Sequence, residues 1–233
     1  DDAYRTAITL NEVGVEVPII VDARGSGGGA LAERAKALGI RVENGKAISK
    51  VFGKKRVEAI SICEHKDSGK GNEKISCDCI AMSGGWSPVV HLYSHCGGKL
   101  KWDEKMALFK PDSSAKPTSH DGLPFVTAVG SANGFLLIQE VLNDAQEGCL
   151  EVVEASGGKV KKESFKLIEH EYENSLEAIW IAPQDADIKK RSKIWLDFQN
   201  DVKINDVELA AREGFESVEP VSYTHLRAHE TIA

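Results

Sequence analysis

Two glycine-rich turns and an acid-arginine pair are the residues here whose types and spacing could do chemistry, and that chemistry is the holding of a nucleotide. In Ser83-Gly84-Gly85 two successive residues lack a Cβ, so the backbone can take positive φ and a ligand can approach the main-chain amides. Pro88 then fixes where the chain leaves. A second glycine turn, Gly130-Ser131-Ala132-Asn133-Gly134, runs into an expected helix, an order that aims helix-start amides at a phosphate or a ring. Asp22 closes a short apolar run, where an acid can accept hydrogen bonds from an adenosine ribose, and nearby Arg24 suits a 2′-phosphate instead. Each group also has a plainer reading: a sharp loop without a ligand at Ser83 to Gly85, a tight helix-strand contact at Gly130 to Gly134, a solvated strand-end carboxylate at Asp22.

The elements that must position these groups follow from apolar periodicity. Residues 1–10 read as an acid-capped helix with Ala3, Ala7 and Leu10 inward, ended by Gly14. Residues 17–21 read as the strand that delivers Asp22. Helix, strand, acid is the second half of a βαβ nucleotide unit, whose first strand and glycine turn would precede residue 1, so the chain reads as a fragment. The run Gly25-Ser26-Gly27-Gly28-Gly29 lacks the Lys-Ser/Thr of a phosphate-binding P-loop and reads as a linker before a helix over 30–38. Residues 40–44, 47–52 and 56–63 suggest a three-stranded antiparallel meander inserted in a parallel sheet. Residues 75–82 read as a strand apolar on both faces, with Ile75, Cys77, Cys79 and Ala81 on one and Ile80 and Met82 on the other. Beyond them lie an expected strand at 125–129, a helix at 135–147, a polar linker and a strand at 193–198. The last expected element is a helix over 205–218, with Val207, Ala210, Ala211, Phe215 and Val218 inward and Gly214 weakening its middle.

A chain of 233 residues with 42% hydrophobic and 28% charged content has the composition of a globular protein able to bury a core. Its net charge of -7 argues against a dedicated nucleic-acid binder, which needs a basic surface. No apolar run approaches the length that spans a bilayer. The 5 cysteines are odd in number and mostly in apolar contexts, as expected of reduced structural thiols in a cytosol. Cys77 and Cys79 lack further ligands, and His91 and His95, with Cys96 beside them, lack a fourth group for zinc. No metal site is expected, and no nucleophile or general base assembles to make a catalytic residue.

Taken together, several segments resemble the alpha subunits of heterotetrameric sarcosine oxidase: DDAYRTA at residues 1–7, VDAR at 21–24, SGGWSPVVHLYSHCGGKLKWDE at 83–104, GSANG at 130–134 and DFQNDVKINDVELAAREGFESVE at 197–219. The resemblance implies an α/β fold: a partial Rossmann-like domain of the two-dinucleotide, pyridine nucleotide reductase-like type with an antiparallel meander, followed by a small, mostly helical domain. It implies that residues 1–150 are the distal part of an NAD-binding FAD/NAD(P)-type domain, 151–192 a linker and 193–219 the start of the small domain. Residues 83–88 would be where the inserted nucleotide domain returns to the first. Ser131 stands where flavin reductases carry the Asp that meets the flavin ribityl chain, which fits NAD. Asp197 and Gln199 stand where related subunits carry the cysteines of a two-iron cluster, and a cluster needs thiolates, so none is expected. Residues 220–233 depart from the family and resemble translated adapter sequence, a non-native tail.

The family's reaction is oxidative demethylation of sarcosine to glycine, with oxygen giving hydrogen peroxide and tetrahydrofolate capturing the one-carbon unit. FAD, FMN and tetrahydrofolate are expected elsewhere in a cytoplasmic complex with a flavin-bearing beta subunit and two small subunits, without nucleic acid or membrane. These residues alone would be inactive. The same scaffold is also compatible with the large subunit of an opine, hydroxyproline or dimethylglycine dehydrogenase, or with a non-catalytic dinucleotide-binding scaffold.

Overall fold

The computed structural model describes residues 1–71, 73–165, 177–198 and 200–215. They form two compact units, one of Asp1–Thr6, Gly28–Arg34 and Ala81–Ala178, the other of Ala7–Gly27, Ala35–Ile80 and Ile179–Ala233.

Helix α1 (Asp2–Glu12) ends as its composition requires: Gly14 takes φ 88° and the Val15 N–H reaches back to the Leu10 carbonyl at 2.9 Å. Its buried face is Tyr4, Ala7 and Ile8, at i, i+3 and i+4, whereas Ala3 and Leu10, expected inward, are exposed. The Tyr4 ring offers far more area to bury than the Ala3 methyl, and that difference sets the rotation of the helix.

In the second unit, β1 (Ile19–Asp22) and β2 (Arg41–Asn44) pair in parallel, Ile19 with Arg41 through Asp22 with Asn44. Helix α2 (Gly29–Ala37) lies between them in the chain, closed by Gly39 at φ 82°. A meander does follow, but with different members. It consists of β3 (Lys46–Phe52), β4 (Ala59–Glu64) and β5 (Glu73–Ser76), all antiparallel, while the 40–44 segment belongs to the parallel pair. Apolar alternation marks a strand without naming its neighbour, so periodicity alone could not separate these partnerships. Central β4 is covered on both faces, Ala59 through Cys63 all being buried.

The strand expected over 75–82 stops at Ser76. Ser76 registers against Ala59, the first residue of β4, and beyond it the Cys77 N–H still reaches the Glu58 carbonyl at 3.3 Å before the pairing ends. Residues 77–90 carry no regular secondary structure, and Met82, expected inside, is 92% exposed.

Edge-strand charges tie β2 to β5. The Arg41 guanidinium donates to Glu43 at 2.8 Å and to both Glu73 oxygens, one of them at 2.8 Å. These hydrogen bonds hold the Glu73 carboxyl below the usual glutamate range. A carboxyl depressed in the folded state stabilises fully above its unfolded value of about 4.3, and that contribution fades as pH falls through the folded value. Thermal midpoints from about pH 6 down to 2 should therefore show Glu73→Gln less stable than the parent at the upper end, with the gap closing at the lower. A gap independent of pH would remove Arg41–Glu73 from the acid response.

In the first unit, hairpin β6 (Leu100–Asp103) and β7 (Leu108–Pro111) stacks Trp102 edge-on to Phe109 at 5.0 Å. Short helix α3 (His91–His95) buries Tyr93, whose hydroxyl donates to the Asp112 carbonyl at 3.0 Å. The strand expected at 125–129 carries no regular secondary structure, and the helix expected at 135–147 is α4 (Ile138–Ala155), starting later and running straight through Gly148. Glycine is accommodated there because a Cβ would come within 2.5 Å of Val129 Cγ1, so a close helix-chain contact outweighs its poor helix propensity.

Within 151–192, Gln184 donates to the His65 carbonyl at 2.7 Å, and Lys190, in α5 (Ile188–Arg191), donates to the carbonyls of Ser68 and Gly69. This part of the stretch is docked on the loop after β4. Then follow β8 (Trp195–Asp197), β9 (Val202–Lys203) and α6 (Ile204–Arg212), a hairpin and a helix. Gly214, at φ 88°, ends α6 instead of sitting in its middle, and Val218 lies outside the described residues.

Candidate nucleotide site

Strand β1 ends by presenting Asp22. Its carboxylate accepts the Arg24 backbone N–H at 3.0 Å, Arg24 Nε at 3.0 and 3.2 Å and Arg24 Nη2 at 2.7 Å. The side chains are only 10% and 18% exposed, so this fork is a shielded, geometrically fixed ion pair. A Cβ on Gly27 would lie 2.1 Å from Asp22 Oδ2 and 2.9 Å from Arg24 Nη2. Gly27, in the glycine run read as a linker, is thus a packing position: only a residue without a side chain lets the loop pass close beside the carboxylate.

Asn44, missed in the sequence, registers directly against Asp22 at the end of β2, with its amide 3.5 Å from the Gly27 carbonyl. The Gly45 N–H donates to the Arg24 carbonyl at 2.8 Å. Asp22, Arg24, Gly27 and Asn44 therefore cluster at the carboxyl ends of two parallel strands, the edge at which open α/β sheets receive ligands. The available signal was that edge rule, which could not be applied to Asn44 while 40–44 was read as part of a meander.

The remaining candidates lie in the first unit. Ser83, Gly84 and Gly85 are exposed; no atom lies within 4 Å of a Cβ placed on Gly84 or Gly85, and Gly85 has φ 99°. Their amides border open space. Trp86 Nε1 donates to Asp2 at 2.5 Å, and Pro88 Cγ comes within 3.9 Å of a Cβ placed on Gly134, so the two glycine segments are neighbours.

Gly130, Ser131 and Asn133 form a 3-10 turn, closed by Gly134 at φ 97°. The Gly130 N–H donates to Asp144 at 2.6 Å, and the Asn133 amide donates to the same carboxylate at 3.2 and 3.3 Å. A carboxylate from α4 thus occupies donors that a phosphate would use. Asn133 and Asp144 also line a cavity of about 150 Å³ with Tyr93, Lys116, Glu147 and Glu151. Its acidic wall disfavours an anion.

A second cavity, of about 290 Å³, lies on the meander among Arg41, Glu43, Lys46, Glu64 and Glu73, whose charges pair with one another. Cys63 also borders it, its thiol pushed up chiefly by burial and so kept protonated. All five cysteines are free thiols. Among the described residues no group of three or more metal-binding side chains occurs, and no helix is long and apolar enough to cross a membrane. Asp197 accepts hydrogen bonds from the Asn200 backbone at 3.2 Å and amide at 2.8 Å; Gln199 and the 220–233 tail lie outside the described residues.

The fold defines a mixed α/β protein built on a parallel strand pair with an acid-glycine cluster at its carboxyl edge. Residues 191–226 match the sarcosine oxidase A3 domain. The sarcosine oxidase subunit alpha of Rhizobium meliloti (strain 1021) is 33% identical over 222 residues, 94% of this chain and 20% of the relative. That of Corynebacterium sp. (strain P-1) is 27% identical over 241 residues, covering 100% of this chain and 23% of the relative. The chain belongs to the sarcosine oxidase alpha-subunit family and spans about a fifth of the length of these relatives. Among solved structures, L-proline dehydrogenase from P. horikoshii superposes with a TM-score of 0.48 at 17% identity, covering 94% of this chain and 43% of that one.

Proposed function

We propose that the intact protein is the alpha subunit of a sarcosine oxidase, and that the segment described here holds NAD noncovalently. The observation that carries the nucleotide reading is Asp22, fixed at the carboxyl edge of β1 and β2 by Arg24 and backed by Gly27. A carboxylate held there can accept the two hydroxyls of an adenosine ribose. Arg24 is engaged with that same carboxylate, so a 2′-phosphate would have to break the fork and sit beside Asp22. This favours NAD over NADP. Bound NAD would supply a ring able to take or give a hydride; the residues of this chain bind and orient it.

Ser83, Gly84 and Gly85, within the first unit, are a separate stretch of open backbone and stay candidates for holding a nucleotide by themselves. Gly130, Ser131, Asn133 and Gly134 remain candidates on the condition that Asp144 yields the Gly130 amide. Demethylation of sarcosine to glycine, with flavins and tetrahydrofolate held elsewhere, belongs in this reading to the assembled cytoplasmic complex, with a flavin-bearing beta subunit and two small subunits. Purifying the intact protein, releasing its cofactors by denaturation and identifying them by mass spectrometry tests the assignment. NAD without NADP is expected, and a preparation yielding only flavin would overturn it.

A further inference from the structure

We propose that the tip of the β3–β4 hairpin, with the adjoining face of β5, is the surface on which an acidic face of a partner subunit docks. This rests on the reading of the protein as one subunit of a complex. Lys54, Lys55 and Arg56 are all exposed in the turn after Phe52. Lys50 lies two residues before Phe52, and Lys50 and Lys74 both register against Ser61 of β4, which places the two lysines on the face of the Phe52 ring. Their ammonium nitrogens stand 4.9 and 4.7 Å from the ring centroid.

Among the described residues none of these cations has an ion pair or a hydrogen bond, whereas Arg41, Lys46, Lys110, Lys162 and Arg191 all do. In a chain of net charge -7 the unpaired cations of one hairpin make a local positive field. An acidic protein surface is its complement. The turn is exposed throughout and offers no concavity for a small phosphate ligand. A nucleic acid would meet the excess of acid elsewhere on the chain. Phe52 is half-buried beneath the two ammonium groups, and Val51 beside it, 49% exposed, is a single small apolar side chain and not the broad apolar face that a lipid surface needs.

The test is the triple charge reversal K54E/K55E/R56E in the intact protein, co-expressed with the flavin-bearing and small subunits and followed by native mass spectrometry across a range of salt. Charges at the rim of an interface govern association rate and its salt dependence, so the variant should assemble at least about tenfold more weakly near physiological salt. K54Q/K55Q/R56Q should fall between it and the parent. Circular dichroism and thermal midpoint should not change, since these exposed side chains make no ion pair or hydrogen bond among the described residues. Equal assembly of parent and variant at every salt concentration would overturn the docking surface and leave the subunit reading standing; a parent protein that purifies alone would overturn both. Binding to phosphatidylserine vesicles that the variant loses, with assembly intact, would overturn the protein partner in favour of a membrane.

Discussion

Asp22→Ala in the intact protein is expected to weaken NAD binding about a hundredfold and also to lower the thermal midpoint, because it strands a shielded guanidinium. Two hydrogen bonds from ribose hydroxyls to a charged acceptor, at roughly 1.5 kcal/mol each, sum to about 3 kcal/mol, or two decades in affinity. The substitution also removes the carboxylate side of the Arg24 fork. A guanidinium that no longer faces a carboxylate can meet a 2′-phosphate bidentately, so the loss should be smaller for NADP and the preference between the two nucleotides should narrow or reverse. Calorimetric titration with both nucleotides reads the two effects separately. An unchanged affinity for NAD would place the nucleotide elsewhere.

The second large effect concerns folding. Ile62→Ala in β4 should cost about 2–5 kcal/mol, because it removes a side chain that is 4% exposed at the centre of the meander and leaves a cavity that neighbouring backbone cannot fill. Strand β4 is hydrogen-bonded on both sides, to β3 and to β5, so neither neighbour can move inward without breaking a ladder. Denaturant unfolding monitored by circular dichroism measures the loss. A change below about 1 kcal/mol would mean that the meander can collapse around the site.

Local chemistry was legible wherever the decisive interaction lies within a few residues. Gly14 and Gly39 were readable as helix ends because a positive φ is a property of the glycine itself. Asp22 was readable as a strand-end acid for the same reason, since its principal partner, Arg24, is two residues away. The two-sided strand over 75–82 was not: the apolar alternation continues past Ser76, but the β4 partner it would need begins only at Ala59. A ladder ends where its neighbour ends, and that is not written in the strand's own residues.

The Gly130 to Gly134 turn shows the same limit at a site. Its glycines correctly marked a tight turn, yet the group that engages its Gly130 amide is Asp144, fourteen residues along the chain and nearly two turns into α4. Likewise Gly27 looked like part of a linker until the carboxylate it makes room for was in place. The amino-acid order by itself thus determined the helix ends, the acid-arginine edge of β1 and the kinship with sarcosine oxidase alpha subunits. Only the tertiary structure decided strand partnership, the pairing of Asn44 with Asp22 and the closing of Gly130 by a distant carboxylate. The reason is that propensity, charge and φ belong to a residue and its near neighbours, whereas hydrogen-bond partners and excluded volume belong to whatever the folded chain brings beside it.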